Sequence, residues 1–175
     1  MVFGMSLATF TLIHVIISLV GIGSGLIVLF GMFSGKRLDG MTALFLATTA
    51  LTSVTGFGFP FEHITPGIIL GILSLVVLAI AVAARYSFHM AGRWRAIYVI
   101  TAVIALYFNC FVLIAQSFQK ILALHALAPK GNEPPFAIAQ GILLVLFIVA
   151  GILAVKKFHP AAAMNVAHAA SNMNL

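Results

Sequence analysis

The segment SLATFTLIHVIISLVGIGSGLIVLFGMF, residues 6–33, is followed directly by SGKRLDG, residues 34–40, and this alternation decides the fold. The first segment is longer than the ~20 mostly apolar residues that cross the hydrocarbon core of a bilayer. The second segment is short and carries Lys36, Arg37 and Asp39. A long apolar run that closes on a short charged loop is typical of a membrane-spanning helix.

The same alternation continues along the chain and predicts an all-α transmembrane bundle in one domain, residues 1–159. A tail from 160 to 175 has no charged side chain and is predicted to be mobile. The segment Ile121–Ala128 is apolar but too short to cross, so it either extends the fourth span or lies in the outer interface. The five predicted spans are residues 6–33, 41–59, 66–86, 96–118 and 135–155.

Composition supports a membrane location. The chain is 63% hydrophobic and 7% charged, whereas soluble domains carry about 25% charged residues. The net charge of +6 would suit nucleic acid, but seven of the nine Lys and Arg residues lie in three short clusters at the ends of spans. Charges in that position set membrane topology, so we expect a lipid partner and no nucleic acid.

The distribution of charge predicts the orientation. One side carries two basic residues, Lys120 and Lys130, together with Glu62 and Glu133. Cytoplasmic loops are enriched in Lys and Arg, so the N-terminus is predicted outside and the C-terminus in the cytoplasm. The seven basic residues of the other side are Lys36, Arg37, Arg85, Arg93, Arg95, Lys156 and Lys157.

Local signals predict the boundaries of the spans. Asp39 is placed to cap the second span, because its carboxylate accepts from free backbone N–H groups. Pro60 should end that span at residue 59, because proline restricts the residue before it. Thr65 followed by Pro66 predicts the start of the third span, and residues 134–135, both proline, predict the start of the fifth.

Glycine pairs predict close helix packing. Gly21 with Gly25 and Gly67 with Gly71 are small residues four positions apart, a spacing that lets another helix backbone approach. Thr48, Thr52 and Asn109 extend the polar and small faces of the second and fourth spans, and interhelical packing is the ordinary role of such residues.

Polar side chains concentrate in the half of the bundle nearest the outside, and we call them the outer set. His14 is the deepest ionisable residue, and such residues within spans are functional candidates. No two histidines lie three or four positions apart, so a metal or haem site would need His14 to meet His63 or His125. A neutral histidine hydrogen-bonded to Asn109, Gln116 or the backbone is the alternative. The outer set comprises His14, Glu62, His63, Asn109, Gln116, His125 and Gln140.

Several chemistries are excluded by the absence of their motifs. The chain has no HExxH, GxSxG, P-loop or dinucleotide-binding pattern. Its one cysteine, Cys110, lies within an apolar span without an adjacent base, so no disulfide within the chain and no reactive thiol is expected.

The sequence resembles a group of small proteobacterial inner-membrane proteins to which no activity is assigned. The segments that carry the resemblance span most of residues 10–158, and it implies a bacterial inner membrane but no site and no cofactor. These segments are ISLVGIGSG (17–25), GKRLDG (35–40), TALFLATT (42–49), TSVTGFGFPF (52–61), LALHALAP (122–129) and EPPFAIAQ (133–140).

Three functional hypotheses follow. The first is a non-enzymatic accessory or interaction subunit that binds a membrane-protein partner or a second copy of itself. The second is a periplasm-facing redox bundle that binds haem, a metal or a quinone through His14 with His63 or His125. The third is a small transporter or proton path through Thr48, Thr52, Asn109 and His14.

Overall fold

The computed structural model of the chain describes residues 4–60 and 65–160. Within these ranges the regular elements are six α-helices and one π-helical turn, which continues the third helix. The predicted all-α class is confirmed for this part of the chain. The elements are α1 (Leu7–Phe33), α2 (Asp39–Gly56), α3 (Pro66–Val82), the π-turn (Ala83–Ser87), α4 (Arg93–Lys120), α5 (Leu122–Leu127) and α6 (Pro134–Lys157).

Four helices are long and apolar enough to cross a membrane: α1, α3 with its π-turn, α4 and α6. Four candidate spans in one chain indicate a multi-pass membrane protein. α2 is not among them, because hydroxyl side chains interrupt its apolar sequence, and a fifth span there stays a prediction. The hydroxyl residues of α2 are Thr42, Thr48, Thr49, Thr52, Ser53 and Thr55.

Two predicted helix starts are confirmed. Thr65 precedes α3, and its Oγ1 accepts from the backbone N–H of Ile68 at 3.4 Å, with Pro66 as the first helical residue. α6 begins with two prolines, residues 134 and 135, as predicted. Proline is favourable there because the first N–H groups of a helix have no partner within it.

The predicted boundaries of α2 were wrong. Leu38, with φ of 43°, precedes the helix, and Asp39 is its first residue rather than its cap. The Asp39 carboxylate instead lies against Arg37 and Arg85, so a tertiary ion pair replaces the local cap. The helix ends at Gly56, three residues before the predicted end, and the backbone N–H of Phe57 closes it on Val54 and Thr55.

α4 lies at the centre of the bundle. Half of its most apolar stretch is buried (50%), against 11% for α6, and it packs against α1, α3 and α6. Tyr98, Ala105 and Leu106 are almost fully buried along its length. The other long helices therefore pack around α4 and turn much of their apolar surface outward.

Close approach between α1 and its neighbours depends on glycine. A Cβ at Gly25 would lie 2.6 Å from Leu106 Cδ1 and 2.8 Å from a ring carbon of Phe45. A Cβ at Gly21 would lie 3.2 Å from Thr48 Oγ1. The first glycine pair therefore packs within the chain.

The two glycines of the second predicted pair have different surroundings. A Cβ at Gly71 would meet the Phe57 ring at 3.0 Å, so this residue packs on the end of α2. Gly67 is exposed, and a Cβ there would meet only Thr65 Oγ1, which belongs to its own helix start. One of these two glycines therefore serves packing within the chain.

The segment after α4 forms a separate helix rather than an extension. Ile121 is extended, with φ of −89° and ψ of 114°, and interrupts the helical path between Lys120 and Leu122. No residue of α5 is buried, and Leu122 is 84% exposed. The predicted tail lies outside the described residues beyond position 160.

Candidate functional site

His14 joins α1 to α2. Its Nδ1 lies 2.8 Å from Oγ1 of Thr55. Its ring meets the ring of Phe59 edge-on, with centroids 5.1 Å apart, and Phe59 also contacts Phe10 at 4.9 Å. The imidazole is therefore held from two sides, by a hydroxyl and by an aromatic edge.

The surroundings of the Thr55 hydroxyl favour one tautomer of His14. Its Oγ1 lies 2.7 Å from the carbonyl of Leu51, to which a threonine within a helix usually donates its single hydrogen. With the hydrogen placed there, the His14 tautomer that pairs with Thr55 is the one that donates from Nδ1–H. In the neutral ring this leaves the Nε2 lone pair free, and no described residue hydrogen-bonds to it.

Asn109 joins α4 to α2 deeper in the bundle. Its Nδ2 donates to Thr49 Oγ1 at 3.0 Å, and both residues are buried. Gly21 of α1 lies directly above this pair, since a Cβ there would be 3.6 Å from the Asn109 amide nitrogen. The amide thus links α4 to α2 at a point where α1 also approaches closely.

Gln140 joins α6 to α4. Its Nε2 donates to the backbone carbonyl of Phe111 at 3.1 Å. Its Oε1 is buried and has no hydrogen-bond partner among the described residues. The amide nitrogen of Gln140 therefore links the two helices, while its amide oxygen lacks a hydrogen-bond partner among the described residues.

The remaining members of the outer set do not join these three. Gln116 and His125 are exposed, while Glu62 and His63 lie outside the described residues. No hydrogen bond, ion pair or ring contact connects any two of the five described members. Within residues 4–60 and 65–160, no three His, Cys, Asp or Glu side chains gather as a metal site would require.

The hydroxyl groups of the hypothetical transport path turn back onto their own helix. Thr48 donates to the carbonyl of Leu44 at 2.7 Å, and Thr52 donates to the carbonyl of Thr48 at 2.8 Å. Such bonds satisfy the hydroxyl hydrogens within α2. They form no chain of hydrogen bonds between His14 and Asn109.

A second polar cluster, which sequence reasoning did not single out, surrounds Arg85 and is called the Arg85 cluster: Arg37, Asp39, Arg85 and Tyr98. The guanidinium is 1% exposed, and its Nη2 donates to Asp39 Oδ1 and to the carbonyl of Arg37 at 3.3 Å. It also stands 5.0 Å from the centroid of the Tyr98 ring. Asp39 is 69% exposed, so the pair joins a buried cation to an accessible anion.

The backbone explains how Arg85 reaches the interior. It lies in the π-turn Ala83–Ser87, which follows α3 without a break, and a π-turn rotates the positions after it relative to an α-helix. The Tyr98 hydroxyl beside it is buried near Thr42 and Arg85, but no hydrogen bond of ordinary geometry in the described chain satisfies it. The sequence signal was weak: Asp39 is the only acidic residue near seven basic ones, but nothing local selects Arg85 as its partner.

Further contacts bring the three basic loops together at what we call the basic end. Arg95 Nη1 donates to the carbonyls of Val155 at 2.9 Å and Phe158 at 2.5 Å, which ties the start of α4 to the end of α6. A Cβ at Gly35 would lie 3.8 Å from the carbonyl oxygen of Lys157, so the α1–α2 loop rests on the same helix end.

No protein-family model, curated protein or solved structure matches this chain. Its function is therefore inferred from the geometry of its own residues. These residues form two kinds of feature: single polar contacts that link helices in the half of the bundle away from the basic end, and a dense group of charges at the basic end.

Proposed function

We propose that the chain is a five-span protein of a bacterial inner membrane, with its N-terminus outside and its C-terminus in the cytoplasm. The contact of Arg85 with Asp39 and the approach of Gly35 to Lys157 support this topology. They place the ends of α1, α3 and α6 together, so α2 and α4 must run the opposite way. The 18 residues of α2 extend ~27 Å, close to the hydrocarbon thickness of ~30 Å.

The charge distribution supports the orientation. Seven of the nine Lys and Arg residues belong to the basic end, and cytoplasmic loops are those enriched in these residues. The resemblance to small inner-membrane proteins agrees with this placement.

We propose that the protein acts as a non-enzymatic accessory or interaction subunit, through helix association in the bilayer. The observation that carries this proposal is the division of its polar and small residues. His14, Asn109 and Gln140 bind groups of neighbouring helices in the same chain. Ala137 and Gly141 instead lie exposed on α6, four positions apart, where they would admit a second helix.

Self-association in proteoliposomes tests this role. Copies labelled with a donor or an acceptor fluorophore would be reconstituted at several protein-to-lipid ratios and energy transfer measured. We expect Gly141→Leu to weaken association about tenfold, because interhelical contacts of this kind contribute about 1–2 kcal/mol. Ala79→Leu, at an exposed position of α3, is the matched control and should leave energy transfer unchanged. A monomeric wild type, or equal behaviour of both variants, would contradict the proposal.

A second candidate function is the redox or metal bundle, and one observation favours it. Histidine ligands commonly donate one ring N–H to a neighbouring oxygen and bind with the other nitrogen, which is how Thr55 holds His14. His125 makes no contact with His14, and His63 lies outside the described residues.

Absorption spectra before and after dithionite, with metal analysis, separate the two candidates. A redox or metal site predicts a Soret band or stoichiometric metal that is lost in His14→Ala and kept in His89→Ala, a histidine at the basic end. The accessory role predicts that both variants match the wild type in spectrum, in metal content and in self-association.

A further inference from the structure

Three lysines at the basic end have no partner in the described part of the chain, and we call them the basic rim: Lys36, Lys156 and Lys157. All three are exposed, and none of their side-chain ammonium groups makes a hydrogen bond or an ion pair with a described residue. They come from distant parts of the sequence. A Cβ at Gly35 would lie 3.8 Å from the carbonyl oxygen of Lys157 and 3.9 Å from that of His159, so the backbone beside Lys36 approaches the end of α6 that carries the other two lysines.

Three arginines leave these lysines unpaired by satisfying the negative groups nearby. Lysines in the last turn of a helix often interact with its free carbonyls. Here Arg95 takes two of those carbonyls, on Val155 and Phe158. The only acidic residue of this end, Asp39, is bound by Arg37 and Arg85. Among the described residues, the basic rim is therefore a positive surface that no carboxylate of this chain neutralises.

A stacked aromatic pair lies at the basic end. Phe88 and Trp94 stack with centroids 3.7 Å apart and planes 3° from parallel, and Phe88 is 44% exposed. Tryptophan concentrates where the hydrocarbon of a bilayer meets the headgroups. Trp94 directly precedes Arg95, whose guanidinium binds the end of α6. In the membrane location proposed above, the end of α6 and its lysines would therefore lie near the lipid phosphates.

We propose that the basic rim binds the phosphate of an anionic phospholipid headgroup, held between the α1–α2 loop and the end of α6. This inference rests on the membrane location proposed above and not on the accessory role. Each lysine near an anionic lipid surface contributes about 1 kcal/mol, which corresponds to about fivefold in affinity.

Native mass spectrometry of the full-length protein tests the proposal. Detergent-purified protein would be titrated with palmitoyl-oleoyl phosphatidylglycerol or phosphatidylcholine over the same concentration series, and bound lipids counted at each step. We expect the wild type to retain phosphatidylglycerol at a concentration about fivefold or more below that needed for phosphatidylcholine. Lys36→Gln/Lys157→Gln should remove most of this preference. The matched control Lys120→Gln/Lys130→Gln, which neutralises two lysines at the other end, should keep it.

Three outcomes would overturn the proposal. Equal retention of the two lipids would show that the surface does not select anionic headgroups. A preference that survives in Lys36→Gln/Lys157→Gln would place the binding elsewhere. Inorganic phosphate that displaces phosphatidylglycerol at the same concentration would show a site for free anions instead of lipid. Unchanged thermal unfolding of both double variants in detergent would establish that a loss of binding is not a loss of fold.

Discussion

At the scale of single residues, Arg85 is the charged side chain whose burial has the largest electrostatic cost in the described chain. A buried cation is costly unless an anion and hydrogen bonds compensate for lost water. Asp39 supplies the anion, and the carbonyl of Arg37 supplies a further acceptor. The exposure of Asp39 keeps that carboxylate partly hydrated, so the two partners contribute unequally to stability.

Removal of the Asp39 carboxylate should therefore lower the free energy of unfolding more than removal of the neighbouring exposed cation, Arg37. We expect Asp39→Ala to lower the free energy of unfolding by about 2–3 kcal/mol, below the 3–5 kcal/mol of a fully buried pair. Arg37→Met, whose side chain is 46% exposed, should change it by less than about 1 kcal/mol. Unfolding by SDS in mixed micelles, followed by circular dichroism, measures both. Equal effects would contradict a buried charge at Arg85.

Two glycines of α1 allow the effect of close packing on stability to be measured apart from the effect of helix propensity. A Cβ at Gly25 would lie within 3 Å of the Leu106 and Phe45 side chains, whereas one at Gly23 would meet nothing within 4 Å. We expect Gly25→Ala to destabilise the protein by about 1–3 kcal/mol through overpacking. Gly23→Ala should be neutral or stabilising by up to about 1 kcal/mol, because alanine favours the helix. The same SDS titration distinguishes them, and equal effects would mean that α1 does not approach α4 closely.

At the scale of elements, the helices divide by the way their polar groups are satisfied. α2 carries hydroxyls that bond to its own backbone, and it presents Thr49 and Thr55 to neighbouring helices. α6 is the least buried long helix, and it is attached through Gln140 near its start and through Arg95 of α4 at its end. Side-chain contacts at both ends therefore position a helix that otherwise faces outward.

Loss of the Arg95 contacts should loosen the last turn of α6. We expect Arg95→Gln to increase amide hydrogen exchange at residues 154–158 about thirtyfold, because it removes two hydrogen bonds that contribute about 1 kcal/mol each. Arg93→Gln, at an exposed position two residues earlier with no partner in the described chain, is the control. Exchange that rises equally in both variants would indicate a general effect of charge.

At the scale of the whole molecule, the contacts at the basic end determine the path of the chain. The α1–α2 loop, the π-turn and the end of α6 meet there through residues 35, 39, 85 and 95. Because α1, α3 and α6 all end at the basic end, the chain must run back to the opposite end between them, once through α2 and once through α4. Whether α2 crosses the full bilayer can therefore be tested by finding the side of the membrane on which each loop lies.

Cysteine labelling in membranes answers that question. In a Cys110→Ser background, Ser34→Cys and Ser87→Cys lie at the basic end, and Asn132→Cys lies in the loop before α6. We expect a membrane-impermeant maleimide, added to intact cells, to label position 132 and to leave positions 34 and 87 unlabelled until the cells are opened. Labelling of all three from one side would exclude the five-span topology.

Most of the fold could be predicted from the sequence, whereas most of the site could not. The long helices follow from apolar length, and Thr65 with Pro66 begins α3 as local chemistry dictates. Asp39 shows the opposite case: its local role as a cap was predicted, but a distant arginine binds it instead. The outer set was predicted from depth alone, and depth does not determine which helix face a side chain occupies.

The sequence by itself determined the all-helical class, the positions of four long apolar helices and the sorting of basic residues into alternate loops, because these depend on local composition. The tertiary structure alone decided that His14 meets Thr55, that Asn109 meets Thr49 and that Arg85 is buried against Asp39. Those pairings depend on helix rotation and on close approach at glycines. A π-turn or a missing Cβ changes both without leaving a periodic signal in the chain.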